Sequence, residues 1–144
     1  MKKLALILLL PCLLLASLAF SQTQQGYVMS CYTKALDILN KILNKNHPYI
    51  ASTYGNIANV LTKQSDFKKA LEYYRTSLSI QKTVLGEQHS LVATNYYYLG
   101  RLYYYQNDYS TALEYHTKAL EIMKSLFGEN HQKIEIVKSK MEDS

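Results

Sequence analysis

The sequence repeats itself. Residues 47–88 can be written over residues 89–130 without a gap, and 14 of the 42 positions are identical. His47 stands over His89, Asp66 over Asp108, Ala70-Leu71-Glu72-Tyr73 over Ala112-Leu113-Glu114-Tyr115, and Gly86-Glu87 over Gly128-Glu129. The register extends in both directions: Thr33-Lys34-Ala35-Leu36 falls on Thr117-Lys118-Ala119-Leu120, and His131 continues His47 and His89. A fixed period of this size signals stacked supersecondary units, each too small to bury its apolar face alone. The chain therefore divides into a half unit at 27–46, full units at 47–88 and 89–130, and a capping half unit at 131–144, with 22–26 as a linker before them.

Each full unit reads as two helices. The first is expected over about 48–64 and 90–106; Tyr54, Ile57, Ala58 and Leu61 recur at the spacing of one helical face. The second is expected over 67–85 and 109–127, with Ala70, Tyr73, Tyr74, Ser77, Leu78 and Leu85 as its stripe. Asp66 and Asp108 are placed to cap it by accepting bonds from its free N–H groups. Gly86 and Gly128 suit a left-handed residue just past its end, and Pro48 suits the first turn of the helix before it. Tyr96-Tyr97-Tyr98 and Tyr103-Tyr104-Tyr105 have strand propensity. They align with positions inside a helical repeat, and that context outweighs propensities worth tenths of a kcal/mol per residue. The fold class is all-α.

Composition removes other classes. Five Gly and two Pro are too few for a turn-rich all-β or collagen-like chain. Residues 1–21 have the order of an export signal: Lys2-Lys3, an apolar run from Leu4 to Phe20, and small residues Ala19 and Ser21 before a cut at Gln22. Retention of residues 4–20 as a membrane anchor is the alternative, since 17 apolar residues reach the lower limit for a span. Cys12 lies in this segment, so Cys31 is left alone; a framework of disulfides and a cysteine zinc site are excluded. Cys31 aligns with Tyr73 and Tyr115 and is expected as a small buried apolar residue, with pairing to another chain as the alternative. The formal charge of +5 falls to +3 without Lys2 and Lys3, too little to point to nucleic acid.

On these residues the chain resembles the tetratricopeptide repeat (TPR) family. One unit presents Tyr54, Ile57, Ala58, Leu61, Asp66, Phe67, Ala70, Tyr74 and Ser77 at the family positions; the next presents Tyr96, Leu99, Gly100, Tyr103, Asp108, Tyr109, Ala112, His116 and Ala119. The period of 42 and the Leu85-Gly86-Glu87-x-His89 link are similar to the kinesin-light-chain subtype. The resemblance covers about 27–142. It implies an α-solenoid of antiparallel helix pairs in a right-handed superhelix, whose first helices line a concave groove for a protein or peptide. It does not imply kinesin itself, because the heptad segment that joins a light chain to a motor is absent.

By that resemblance the groove positions are Ser52, Gly55, Asn56, Asn59 and Lys63 in one unit and Thr94, Tyr97, Tyr98, Arg101 and Tyr105 in the next, with Ser139 and Lys140 in the last half unit. Asn offers both a donor and an acceptor to an extended backbone, Arg101 and Lys63 suit a carboxylate, and Tyr is a rigid amphipathic contact residue. The competing reading is that Arg101 is a solvated charge and the tyrosines are packing. His47, His89 and His131 recur too far apart in a stack to share one ion, so they read as linker residues and no metal is expected. His116 reads as core or boundary. No motif of a hydrolase, metalloprotease or phosphate-binding loop is present, so neither catalysis nor a cofactor is expected. The alternative to groove binding is self-assembly into a homo-oligomer through the terminal repeats, or a place within a larger repeat scaffold.

Overall fold

The computed structural model describes residues 23–128. Residues 1–21, the capping half unit 131–144, His131, Ser139 and Lys140 lie outside them. Five helices follow one another: α1 over 23–42, α2 over Pro48–Lys63, α3 over Phe67–Leu85, α4 over Ser90–Tyr105 and α5 over Tyr109–Phe127. The bounds of α3 and α5 are those the repeat predicts, and α2 and α4 stop one residue short. The expected linker at 22–26 is corrected: residues 23–26 already belong to α1.

The helix ends explain this agreement. Asp66 Oδ1 accepts from the Lys69 amide at 3.3 Å, and Asp108 Oδ1 from the Thr111 amide at 3.1 Å, so both cap their helices. Pro48 stands in the first turn of α2, where its missing N–H leaves nothing unpaired. His47 and His89 do more than link. Nδ1 of each accepts from the amide two residues on, Tyr49 at 3.2 Å and Leu91 at 3.1 Å, which makes them N-caps.

Gly86 and Gly128 need a correction. Their φ values of 82° and 78° are positive, but ψ is 166° and 165°, an extended region that essentially only glycine enters. The left-handed residues are instead Ser65 and Asn107, at φ 62° and 63°. There the Asp66 amide bonds Leu61 O and the Ser65 amide bonds Thr62 O; Asp108 and Asn107 repeat the pattern onto Tyr103 O and Tyr104 O. These paired bonds satisfy carbonyls that a helix end leaves bare.

Links this short make α2 and α3 one antiparallel pair and α4 and α5 another, and α3 packs on α4 to join them. The main core takes Ile57, Ala58 and Leu61 from α2, Ala70 and Tyr74 from α3, and Leu99 and Leu102 from α4. Met29, Tyr32 and Leu36 of α1 pack against it. A second cluster joins Val92 and Ala93 of α4 to Ile122 of α5. The tyrosine runs are helical, and much of their surface goes into packing: Tyr103 stacks on Tyr115 with centroids 5.4 Å apart and planes 10° from parallel.

Cys31 is exposed, against expectation. α1 turns Met29, Tyr32 and Leu36 to the core, and Cys31 lies on another face beside exposed Tyr27, Ile38 and Ile42. In the full units the equivalent face is covered by the first helix of the same unit, which is why Tyr73 and Tyr115 are partly buried. Among the described residues no helix is long and apolar enough to cross a membrane.

Candidate functional site: a polar groove between two repeats

α2 and α4 are the first helices of adjacent units, and their facing sides form a groove floored by α3. It widens into two cavities that share Asn59, Tyr74 and Tyr98. The larger has about 470 Å³ and includes Lys63, Arg101 and Tyr105 in its wall. The smaller, about 180 Å³, includes Ser52, Gly55, Asn56 and Thr94. The structure thus brings nine of the ten anticipated residues in the two full units to one surface. Tyr97 is the exception. It lines neither cavity, and its ring lies against His116 with centroids 5.4 Å apart.

Arg101 is partly buried on α4, and its Nη2 donates to the Tyr105 hydroxyl at 2.7 Å. Burial works against its charge, but the bond to Tyr105 and the surrounding phenols outweigh this and hold the guanidinium above its ordinary pKa. No carboxylate pairs with Arg101 among the described residues; the ion pairs found there are Lys69–Asp66 and Lys82–Glu87. Lys63 is exposed on α2 at the same cavity. The larger cavity therefore presents two cations among phenol rings.

Sequence reasoning missed the floor. Tyr74 of α3 is 1% exposed and lines both cavities. Its hydroxyl donates to Asn59 Oδ1 at 3.1 Å, and its ring stacks with Tyr98 at 6.1 Å and 9°. Burial pushes its phenol up to about 12, so it remains a donor at physiological pH. Ser77, Gln81 and Asn95 form a buried polar cluster beneath the smaller cavity. Ser77 Oγ donates to Ala51 O at 2.7 Å, and Asn95 Nδ2 donates to Ser77 Oγ at 2.9 Å and Gln81 Oε1 at 3.2 Å. One signal was available: Asn95 aligns with Thr53, Ser77 with Ala119 and Gln81 with Met123, so polar groups gather in the stripes at one layer of the stack.

Amides, hydroxyls and two cations face the groove, and among the described residues no three His, Cys, Asp or Glu come together as a metal site. His116 is also buried, 5% exposed, with Nε2 unpaired and its pKa pushed below the usual imidazole range by burial. It packs over Gly100.

The fold is shared with known proteins. A family profile described as Tetratricopeptide repeat matches residues 30–83 and 49–125. The crystal structure of BtubC (BKLC) from P. vanneervenii superposes with a TM-score of 0.69 at 27% identity, over 76% of this chain and 43% of that one. A kinesin-light-chain-like structure from Podosopora anserina, with nearly identical TPR-like repeats, gives a TM-score of 0.70 at 17% identity, over 81% of this chain and 56% of that one. The chain thus spans about half the length of the structures it matches. Among curated proteins, none matches it. Repeats of this kind mediate protein–protein interaction in general and form a scaffold family rather than an enzyme family. The chain belongs to the tetratricopeptide repeat family, and its fold matches that of kinesin-light-chain-like repeats.

Proposed function

We propose that this chain is an exported interaction module that holds an extended, carboxylate-bearing segment of a partner protein in the groove between α2 and α4. The observation that carries this reading is Arg101: a partly buried cation, bonded to a phenol, with no carboxylate partner among the described residues. A carboxylate from a partner is its chemical complement, taken through two parallel N–H···O bonds. Lys63 adds a second charge to the same cavity, and Tyr98 and Tyr105 supply flat apolar surface with polar tips. The uncharged Ser52, Asn56, Asn59 and Thr94 suit the rest of the segment's backbone. The chain contributes shape and polar anchors, without chemistry or cofactor.

The test is fluorescence anisotropy with labelled peptides rich in glutamate, and the same peptides with serine for each glutamate. Wild type is expected to bind the acidic set more tightly. Arg101→Gln should weaken that binding about tenfold or more, which is roughly 1.4 kcal/mol, while Arg75→Gln, an exposed control on α3, should not. Equal binding of both sets, or an unaffected Arg101→Gln, refutes the reading. N-terminal sequencing of the protein recovered from its native source tests export, with Gln22 as the expected first residue.

A second reading rests on α1. Tyr27 is 71% exposed, Ile42 69% and Ile38 58%, an apolar face with Cys31 beside it. Self-association through this face would show as a mass that rises with concentration in sedimentation and falls back with Ile38→Lys.

A further inference from the structure

We infer that His47 and His89 make the groove acid-sensitive: the caps of its two walls, α2 and α4, open together when the imidazoles take a proton, and the bound segment is released. This adds a regulation to the reading of the groove as a peptide site and rests on it.

The helices of the two full units start on caps of two kinds. α3 and α5 start on Asp66 and Asp108. α2 and α4, which face each other across the groove, start on His47 and His89. In each, Nδ1 accepts from the amide two residues on, that of Tyr49 at 3.2 Å and that of Leu91 at 3.1 Å. A ring nitrogen that accepts carries no proton, so the proton of the neutral imidazole sits on Nε2 in both. Imidazole is the side chain that changes its charge between about pH 5 and 8, and as a cation it donates from both nitrogens. Nδ1–H would then face another N–H, and the cap is lost. A carboxylate stays ionised through that window and goes on accepting; the bond from Lys69 holds the Asp66 carboxyl lower still.

The surroundings of the two rings do not offset a positive charge. The first turns of α2 and α4 hold no Asp or Glu. The ring of Tyr49 lies against His47 with centroids 5.0 Å apart. Glu87, two residues before His89, is already paired with Lys82 of α3 at 2.8 Å. Among the described residues neither imidazole has a carboxylate within ion-pair distance. An imidazolium here also meets the positive end of its helix. Loss of the cap leaves amides of the first turn bare, and helices open from such ends. These turns belong to the groove. Leu91, whose amide is the capped one, lines the smaller cavity, and Ser52 and Thr94 line it from the next turn of each wall. Both walls carry the same cap at the same position of the repeat, so one change in pH acts on both.

The test begins with the unmodified full-length, ¹⁵N-labelled protein. Between about pH 7.5 and 5.5, the range in which imidazole titrates, the Tyr49 and Leu91 amides should shift along a titration curve and lose protection from exchange. The Lys69 and Thr111 amides, held by the aspartates, should not. Tyr49 and Leu91 amides that stay in place overturn the inference. The second arm is anisotropy with the labelled glutamate-rich peptide. Wild type should bind about threefold or more weakly at the lower pH, as the competent fraction falls. His47→Asn with His89→Asn puts a strong cap that does not titrate at both starts and should lose much less. The peptide carboxylates and His116 act in both proteins, so the difference between the two belongs to the caps. Equal losses in both, or none in wild type, overturn the inference. His89→Asn alone gives the same comparison at one wall if the double variant does not fold. A peptide that binds at neither pH counts against the groove itself, and the amide titration then still decides whether the caps open.

Discussion

At Gly100 a hydrogen stands where any other residue would place a carbon. A Cβ built there runs into the His116 imidazole, so α4 and α5 approach as closely as they do because position 100 has no side chain. Gly100→Ala is expected to cost about 1–3 kcal/mol, the usual range for overpacking a filled core, measured by urea denaturation. His116 sets a pH dependence. Burial lowers its folded pKa below the unfolded value near 6.5. Above that pH the ring is neutral in both states; as pH falls through and below it, the unfolded chain takes the proton first and stability is lost until the folded ring titrates too. The melting temperature should fall more between pH 7.5 and 5 for wild type than for His116→Phe. The sequence assigns His116 to the core or its boundary, at a position where the family usually has an aromatic and the other unit has Tyr74. It could not show that glycine and imidazole share one space, since the other unit answers the same geometry with Ala58 and Tyr74.

Among the elements, α3 and α5 were legible to the residue because an aspartate cap and a terminal glycine bracket each of them. The turns before them were not. Ser65 and Asn107 hold the left-handed conformation, which costs a side-chain-bearing residue about 1–2 kcal/mol and which Asn bears better than Ser. Glycine's greater freedom in the unfolded chain takes back about half of that. Ser65→Gly should therefore raise stability by several tenths of a kcal/mol, and Asn107→Gly by less, in paired thermal melts. The histidine caps were missed for a different reason. Ser, Thr, Asp and Asn are the familiar residues at a helix start, while an imidazole accepts there only when Nδ1 is unprotonated and turned to the amide, which spacing alone does not reveal.

For the whole molecule, the period announced the stack but not its interior chemistry. The main core draws on α2, α3 and α4 together, so the two units are not independent bodies. Leu99→Ala, at the centre of that cluster, should cost about 2–5 kcal/mol and leave a single transition in denaturant, with circular dichroism and tyrosine fluorescence coinciding; two transitions would mean that the units part. The groove was legible in outline because first-helix positions face it in both described full units, Tyr97 excepted. Its floor was not, because Tyr74, Ser77 and Gln81 come from a second helix and reach the cavity only through the gap between α2 and α4. Cys31 was misjudged by the same limit: repeat alignment assigns burial from full units, and at α1 the covering helix is not among the described residues.

The tyrosine wall of the groove has an optical consequence. The chain has 14 Tyr and no Trp, and Tyr74, Tyr98 and Tyr105 line the larger cavity. An indole placed in a bound segment would be the one chromophore excited at the red edge of the absorption band. Lit instead through the phenols, it would receive their energy and emit in its own colour. The phenols would thus serve as an antenna for a tryptophan-bearing segment in the groove, and its occupancy could be followed without a further dye.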